Sequence, residues 1–153
     1  MGYNFGVGRE APRFDLTAHD GSRIALEQYR GDWFPVVVFL GADPAAASAL
    51  VSSLSAVADQ LWGWRGQLIG VVHGDDELTR AVAAAAERVE FPLLPDADAA
   101  VARAFGAYDA ATASVRPYAV IVDRAGKIVW TADGGASALK PAALVAAMRT
   151  IAR

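Results

Sequence analysis

Three short, nearly continuous apolar runs organise this chain: Pro35 to Leu40, Gln67 to Val72 and Tyr118 to Val122. Such runs are expected of strands covered on both faces by other elements. Between them the period changes. Leu50, Leu54, Val57 and Leu61 recur at helical spacing, and Pro44 suits a first turn, so a helix is predicted from Pro44 to about Leu61. Asp75 and Asp76 open a second helix running to about Arg88, where negative charge complements the exposed amides. Phe91 to Leu94 reads as a short strand, and a helix from about Asp98 to Phe105 stops at Gly106.

The ends of the chain follow the same logic. Phe14 to Leu26 alternates around Asp20-Gly21 and reads as a hairpin, followed by one helical turn from Leu26 to Arg30 closed by Gly31. Arg124 to Lys127 forms a tight turn, so Ile128 to Thr131 returns antiparallel to Tyr118–Val122. A final helix starts at Lys140-Pro141 and ends near Ala152, with Leu144 and Met148 facing inward. Parallel crossovers in the middle and an antiparallel hairpin at the end imply an α/β three-layer sandwich. Its mixed central sheet carries helices on both faces, with an N-terminal β-hairpin added. No linker or internal repeat divides it, so residues 1–153 read as a single domain.

Composition narrows the function classes. The 54% hydrophobic and 20% charged content suits a packed α/β domain, although alanine supplies much of the apolar share. A net charge of −3 with scattered basic residues argues against a nucleic-acid partner. No segment has the apolar length of a membrane span, so no membrane partner is expected. The first residues lack the basic and apolar regions of a secretory signal, which makes a cytoplasmic location the default expectation. There is no cysteine, hence no disulfide and no thiolate metal site. No Gly-rich phosphate loop, His pair or paired-carboxylate spacing stands out, so no metal and no cofactor is expected.

Three motifs then resemble one family. Ala11 to Leu16 with Asp20-Gly21 and Arg30-Gly31 resembles the opening of the peroxiredoxin (AhpC/TSA-type redoxin) sequences. Phe91 to Asp96 with Val101 to Gly106 looks like their second half, and Pro117 to Ile128 like their closing hairpin. The resemblance implies a thioredoxin-like fold and, in the family, thiol peroxidase chemistry. Laid without gaps from Phe39, the family's reactive cysteine falls on Ser48 and its preceding threonine on Ala45; a shifted reading puts the cysteine at Val51. The thiolate is the nucleophile in that chemistry, so its absence removes the reaction as the family runs it.

Two residues could supply another reaction. Ser48 lies near a helix start, but the dipole there is worth only about 1 kcal/mol, so an activated hydroxyl needs a neighbouring base. His73, at the C-terminal end of the Gln67–Val72 strand, is where ligands of open α/β sheets bind, and with Asp75 or Asp76 it could complete a triad. The plainer account is that Ser48 is satisfied within its helix and that His73 to Asp76 form a capping loop. His19 reads as a solvated hairpin residue. Pro117 matches the position of a cis proline in thioredoxin-like proteins, and Arg116 lies one position before the site where the family holds an arginine over peroxide. Trp33-Phe34 and Trp62-Gly63-Trp64 are expected to be core lids; exposed, they would mark a contact surface.

The functional expectation is a cysteine-less redoxin without thiol peroxidase activity. It would bind an unknown protein or small-molecule partner at the former active-site rim: Asp43, Pro44, Ala45, Ser48, His73, Arg116 and Pro117. Two alternatives stand beside it. One is an enzyme using Ser48 and His73. The other is a thiol-dependent peroxidase whose cysteine at position 48 has been replaced by serine, against which the departure at Ala45 counts. The resemblance also implies a homodimer as a plausible assembly.

Overall fold

Every residue of the first apolar run is buried, and that strand is the hub of the molecule. The computed structural model describes residues 6–133 and 139–152 of the chain. Strand β3 (Phe34–Phe39) lies between β4 (Gly66–Val72), parallel to it, and β8 (Tyr118–Val122), antiparallel to it. β5 (Leu93–Pro95) extends the parallel side and β9 (Ile128–Asp133) the antiparallel side, giving the order β5-β4-β3-β8-β9.

Alternate side chains of these strands feed two cores. Val36, Val38 and Leu40 pack with Leu68 and Ile121 against α1 (Pro44–Ser55), α2 (Ala58–Trp62), α3 (Asp76–Ala85) and α5 (Pro141–Ile151). Val37, Phe39, Val71 and Val120 serve the other face, where α4 (Ala100–Phe105) brings Phe105 to within 5.5 Å of the Phe39 ring. The hairpin of β1 (Asp15–Thr17) and β2 (Arg23–Ala25) covers that same face through Phe14, Ile24 and Leu26. This is the expected thioredoxin-like three-layer sandwich with its N-terminal hairpin. Leu144 and Met148 of α5 are fully buried, as their spacing predicts.

Several boundaries differ from the sequence reading, each for a tertiary reason. The helix expected from Pro44 to Leu61 breaks at Ala56-Val57 into α1 and α2. Near the break, Ser52 and Ser53 hydroxyls bond back to the carbonyls of Ser48 and Leu50 at 3.2 and 3.0 Å, a habit that bends helices. α3 ends at Ala85, short of Arg88, because the following residues are drawn out to reach serines of α1. A small hairpin of β6 (Tyr108–Asp109) and β7 (Ser114–Val115) was not foreseen, since two-residue strands carry no readable alternation.

His19 is the clearest correction. It is half-buried, not solvated: Leu93 N–H donates to His19 Nδ1 at 3.1 Å, and His19 N–H donates to Leu93 O at 2.8 Å. The added hairpin is thereby stitched to β5. Its own strands are held at the exposed side by Arg23, whose hydrogen bonds to Asp15 at 2.7 and 2.5 Å keep that carboxyl below its usual range. Replacing His19 with alanine leaves the Leu93 amide without this acceptor, and an expected loss of about 1 kcal/mol follows. Chemical denaturation checks it; an unchanged midpoint would mean the stitch contributes nothing.

Candidate functional site

The rim is built where β3 ends. Gly41 takes φ 85°, a left-handed conformation that suits glycine, and turns the chain out of the sheet. Asp43 then caps α1, its carboxylate accepting from Ala45 N at 3.2 Å, with Pro44 in the first turn. A Cβ added at Gly41 would lie 3.2 Å from Pro117 Cγ, so the loop after β3 and the loop before β8 touch here. The described residues contain no cis peptide, so Pro117 is trans, unlike the cis proline its position suggested.

Arg116 is not a simple surface residue. It is half-buried, its Nη2 donates to Gly106 O at 2.8 Å, and its guanidinium carbon lies 5.4 Å from the centre of the Tyr118 ring. It thus ties the end of α4 to the start of β8. His73 sits at the end of β4, the parallel neighbour of β3, as expected. The loop beyond it is pinned by Asp96, whose N–H donates to Val72 O at 2.9 Å and Gly74 O at 3.1 Å. Asp75 caps α3 by accepting from Leu78 N at 2.9 Å, which is the plain role its position predicted.

Ser48 is where the structure is most informative. It is only 7% exposed, and its hydroxyl donates to Val82 O of α3 at 3.0 Å. It is also one rung of a ladder. One helical turn on, Ser52 Oγ accepts from Glu87 N at 2.9 Å, and Ser55 Oγ accepts from Glu90 N at 3.0 Å. Positions 48, 52 and 55 share one face of α1, and together they clamp α3 and the chain leaving it. No hydrogen bond joins Ser48 to His73. The alternative position for the family cysteine, Val51, is fully buried in the helix-side core.

Of the sequence-predicted site residues, Pro44, Ala45 and Ser48 share a groove of about 870 Å³ between α1 and α3. Ala81, Val82 and Ala85 form its far wall, and the charged side chain on its lining is acidic, Glu87. Asp43, His73, Arg116 and Pro117 do not line it. Sequence reasoning missed Ser52, Ser55 and Asp96. The serines at i, i+4 and i+7 were the available signal for the first two. Among the described residues no three His, Asp or Glu side chains gather as metal ligands would.

Residues 7–131, well over half of the chain, match the AhpC/TSA family. The chain belongs to the AhpC/TSA family. Among solved structures, Enterococcus faecalis AhpC matches 95% of this chain and 91% of its own at a TM-score of 0.81 and 19% identity. The reduced 2-Cys peroxiredoxin of Plasmodium vivax matches 95% of this chain and 81% of its own, with a TM-score of 0.81 and 17% identity. Xanthomonas campestris peroxiredoxin Q covers 97% of this chain and 100% of its own at a TM-score of 0.79 and 18% identity. At such identities the likeness is one of fold. No curated protein matches in sequence. As an AhpC/TSA protein without cysteine, the chain keeps the scaffold and lacks the sulfur.

Proposed function

We propose that this AhpC/TSA protein has no thiol peroxidase activity and works by binding a protein or small molecule along the rim and the adjoining α1/α3 groove. One observation supports the reading: Ser48, the position at which the family resemblance suggests the thiol, donates its hydroxyl proton to the Val82 carbonyl. A hydroxyl used in this way has no proton acceptor of higher basicity, and without a base it is a poor nucleophile. The Ser48/His73 enzyme is disfavoured by the same bond. Asp43, Pro44 and Ala45 offer a capped helix start, Arg116 and Pro117 the neighbouring loop, and the groove beside them an apolar surface of small side chains. A homodimer remains the assembly that the family resemblance suggests.

The test is peroxide consumption by the unaltered chain with a thiol reductant, beside an AhpC/TSA peroxidase that has its cysteine. Hydroperoxide is expected to disappear no faster than in buffer with reductant alone. Catalytic turnover would overturn the reading.

A further inference from the structure

Strand β4 is paired along its whole length on one side only. Phe34 N–H donates to Arg65 O at 2.8 Å and Leu40 N–H to Val71 O at 3.1 Å, so the odd-numbered residues of this stretch turn their backbone groups toward β3. Successive residues of a strand point those groups to opposite sides, so the even-numbered ones face away from β3. The second half of that other side is filled. Gly70 N–H donates to Pro92 O and Asp96 N–H to Val72 O, each at 2.9 Å. β5 pairs with Gly70, Val71 and Val72 and reaches no further back. Gly66 and Leu68 therefore turn their N–H and C=O groups to a side where no described strand pairs with them.

The serine ladder of α1 explains the gap. A chain continued backwards from β5 would run beside Leu68 and Gly66. Instead Ser52 takes Glu87 N–H and Ser55 takes Glu90 N–H, which draws this stretch toward α1. A slot of about 320 Å³ is left, lined by Gly66, Gln67 and Leu68 of the strand, Asp59 and Trp62 of α2, and Glu90. Gln67 fills part of the missing role: its Nε2 donates to Leu68 O at 2.9 Å, as the N–H of a neighbouring strand would. Trp62 is 57% exposed, with its ring 5.1 Å from that of Trp33, so the tryptophans are not all core lids.

We propose that this slot takes an extended peptide segment of a partner protein as an added strand beside the first half of β4. Main chain selects the occupant. The backbone groups of Gly66 and Leu68 call for donors and acceptors at strand spacing, which another strand supplies and a compact small molecule does not. An unfilled sheet edge captures peptides in this way, with affinity from backbone hydrogen bonds. Charge does not choose the partner: Asp59 and Glu90 line the slot, but Arg88 pairs with Glu90 at 3.3 Å and Arg65 adjoins Gly66. A second folded sheet edge would bring its own covering helices against α2, whereas a free segment does not. The Gln67 carboxamide then acts as a placeholder that gives up Leu68 O to the incoming N–H. The rim lies at the other end of β3 and β4, so this contact is independent of the function proposed above.

Amide exchange and chemical shifts of the full chain test it, with a short blocked peptide of alternating threonine and valine, lysine at each end, as the probe. In the free chain the Leu68 amide is expected to exchange faster than those of Gln67 and Ile69, which face β3. Saturating peptide should slow Gly66 and Leu68 about tenfold and leave Gln67 and Ile69 unchanged. A copy of the peptide N-methylated along its pairing edge should not bind, and Gln67→Ala should bind the unmodified peptide roughly fivefold tighter. A Leu68 amide as slow as its neighbours in the free chain, no binding, equal binding of the N-methylated copy, or no gain in Gln67→Ala would overturn the proposal. So would shifts at Ala45 and Ala85 in place of Gly66 and Leu68, which would put the peptide in the α1/α3 groove.

Discussion

Replacing Asp96 with alanine is expected to destabilise the fold by about 3 kcal/mol, a large share of a typical domain's stability. Asp96 is 4% exposed, and its two carboxylate oxygens accept from Val101 N and Ala102 N, each at 3.0 Å. These are amides of the first turn of α4, which have no partner inside the helix. Alanine would leave both without this acceptor, Ala102 N buried and Val101 N partly buried, at roughly 1–3 kcal/mol each. Asparagine keeps one acceptor oxygen and should lose about half as much. The backbone of the same residue holds Val72 and Gly74, so the loop carrying His73 should loosen as well. Denaturant midpoints measure the first effect and hydrogen exchange at Gly74 the second. Equal losses for alanine and asparagine, or losses below about 1 kcal/mol, would show that the carboxylate is not what caps α4.

The sheet was legible because burial on both faces forces nearly unbroken apolar runs, and Val36 to Phe39 or Tyr118 to Val122 admit few other readings. Helix ends were less so. Ala86 has good helix propensity, but the chain from Glu87 to Glu90 gains hydrogen bonds to Ser52 and Ser55 only by leaving the helix. That contact joins residues 35 apart and has no local signature. His19 was misread for the same reason, since its partner Leu93 lies 74 residues away.

The candidate site shows the limit from the other side. Counting without gaps from Phe39 suggests Ser48 as the family's thiol position, with Val51 as the shifted alternative, but such an alignment says nothing about where a side chain points. The α1 face holding Ser48 is turned to α3, a fact set by how two helices pack on β3 and β4. Likewise Arg116 follows from the loop register, while its grip on Gly106 depends on α4 ending in a left-handed glycine at φ 84°. The tryptophans at 33, 62 and 64 were recognisable as element ends. Only the topology, which starts β3 and β4 at one end, brings them near Arg124 of the turn after β8 and Arg149 of α5.

Restoring the sulfur should not restore the reaction. In a Ser48→Cys variant the thiol would replace a hydroxyl that is 7% exposed and held 3.0 Å from a carbonyl oxygen. A thiolate needs a nearby cation, free amides or a metal to bring its pKa down from about 8.5. The groove wall offers none of the basic residues, and its charged member, Glu87, would disfavour the anion. Burial acts in the same direction. The variant is therefore expected to react with a disulfide reagent at neutral pH more slowly than free cysteine, and to consume peroxide no faster than the parent. The S–H bond to Val82 O would also be weaker than the O–H bond it replaces, so a stability loss of about 1 kcal/mol should accompany it and be matched by Ser48→Ala. Rapid, saturable peroxide consumption by the cysteine variant would instead mean that the first turn of α1 reopens a thiolate pocket, and that the reaction was lost with a single atom. The parent's Ser48–Val82 bond would then be a consequence of that loss, formed once no thiolate had to be kept free.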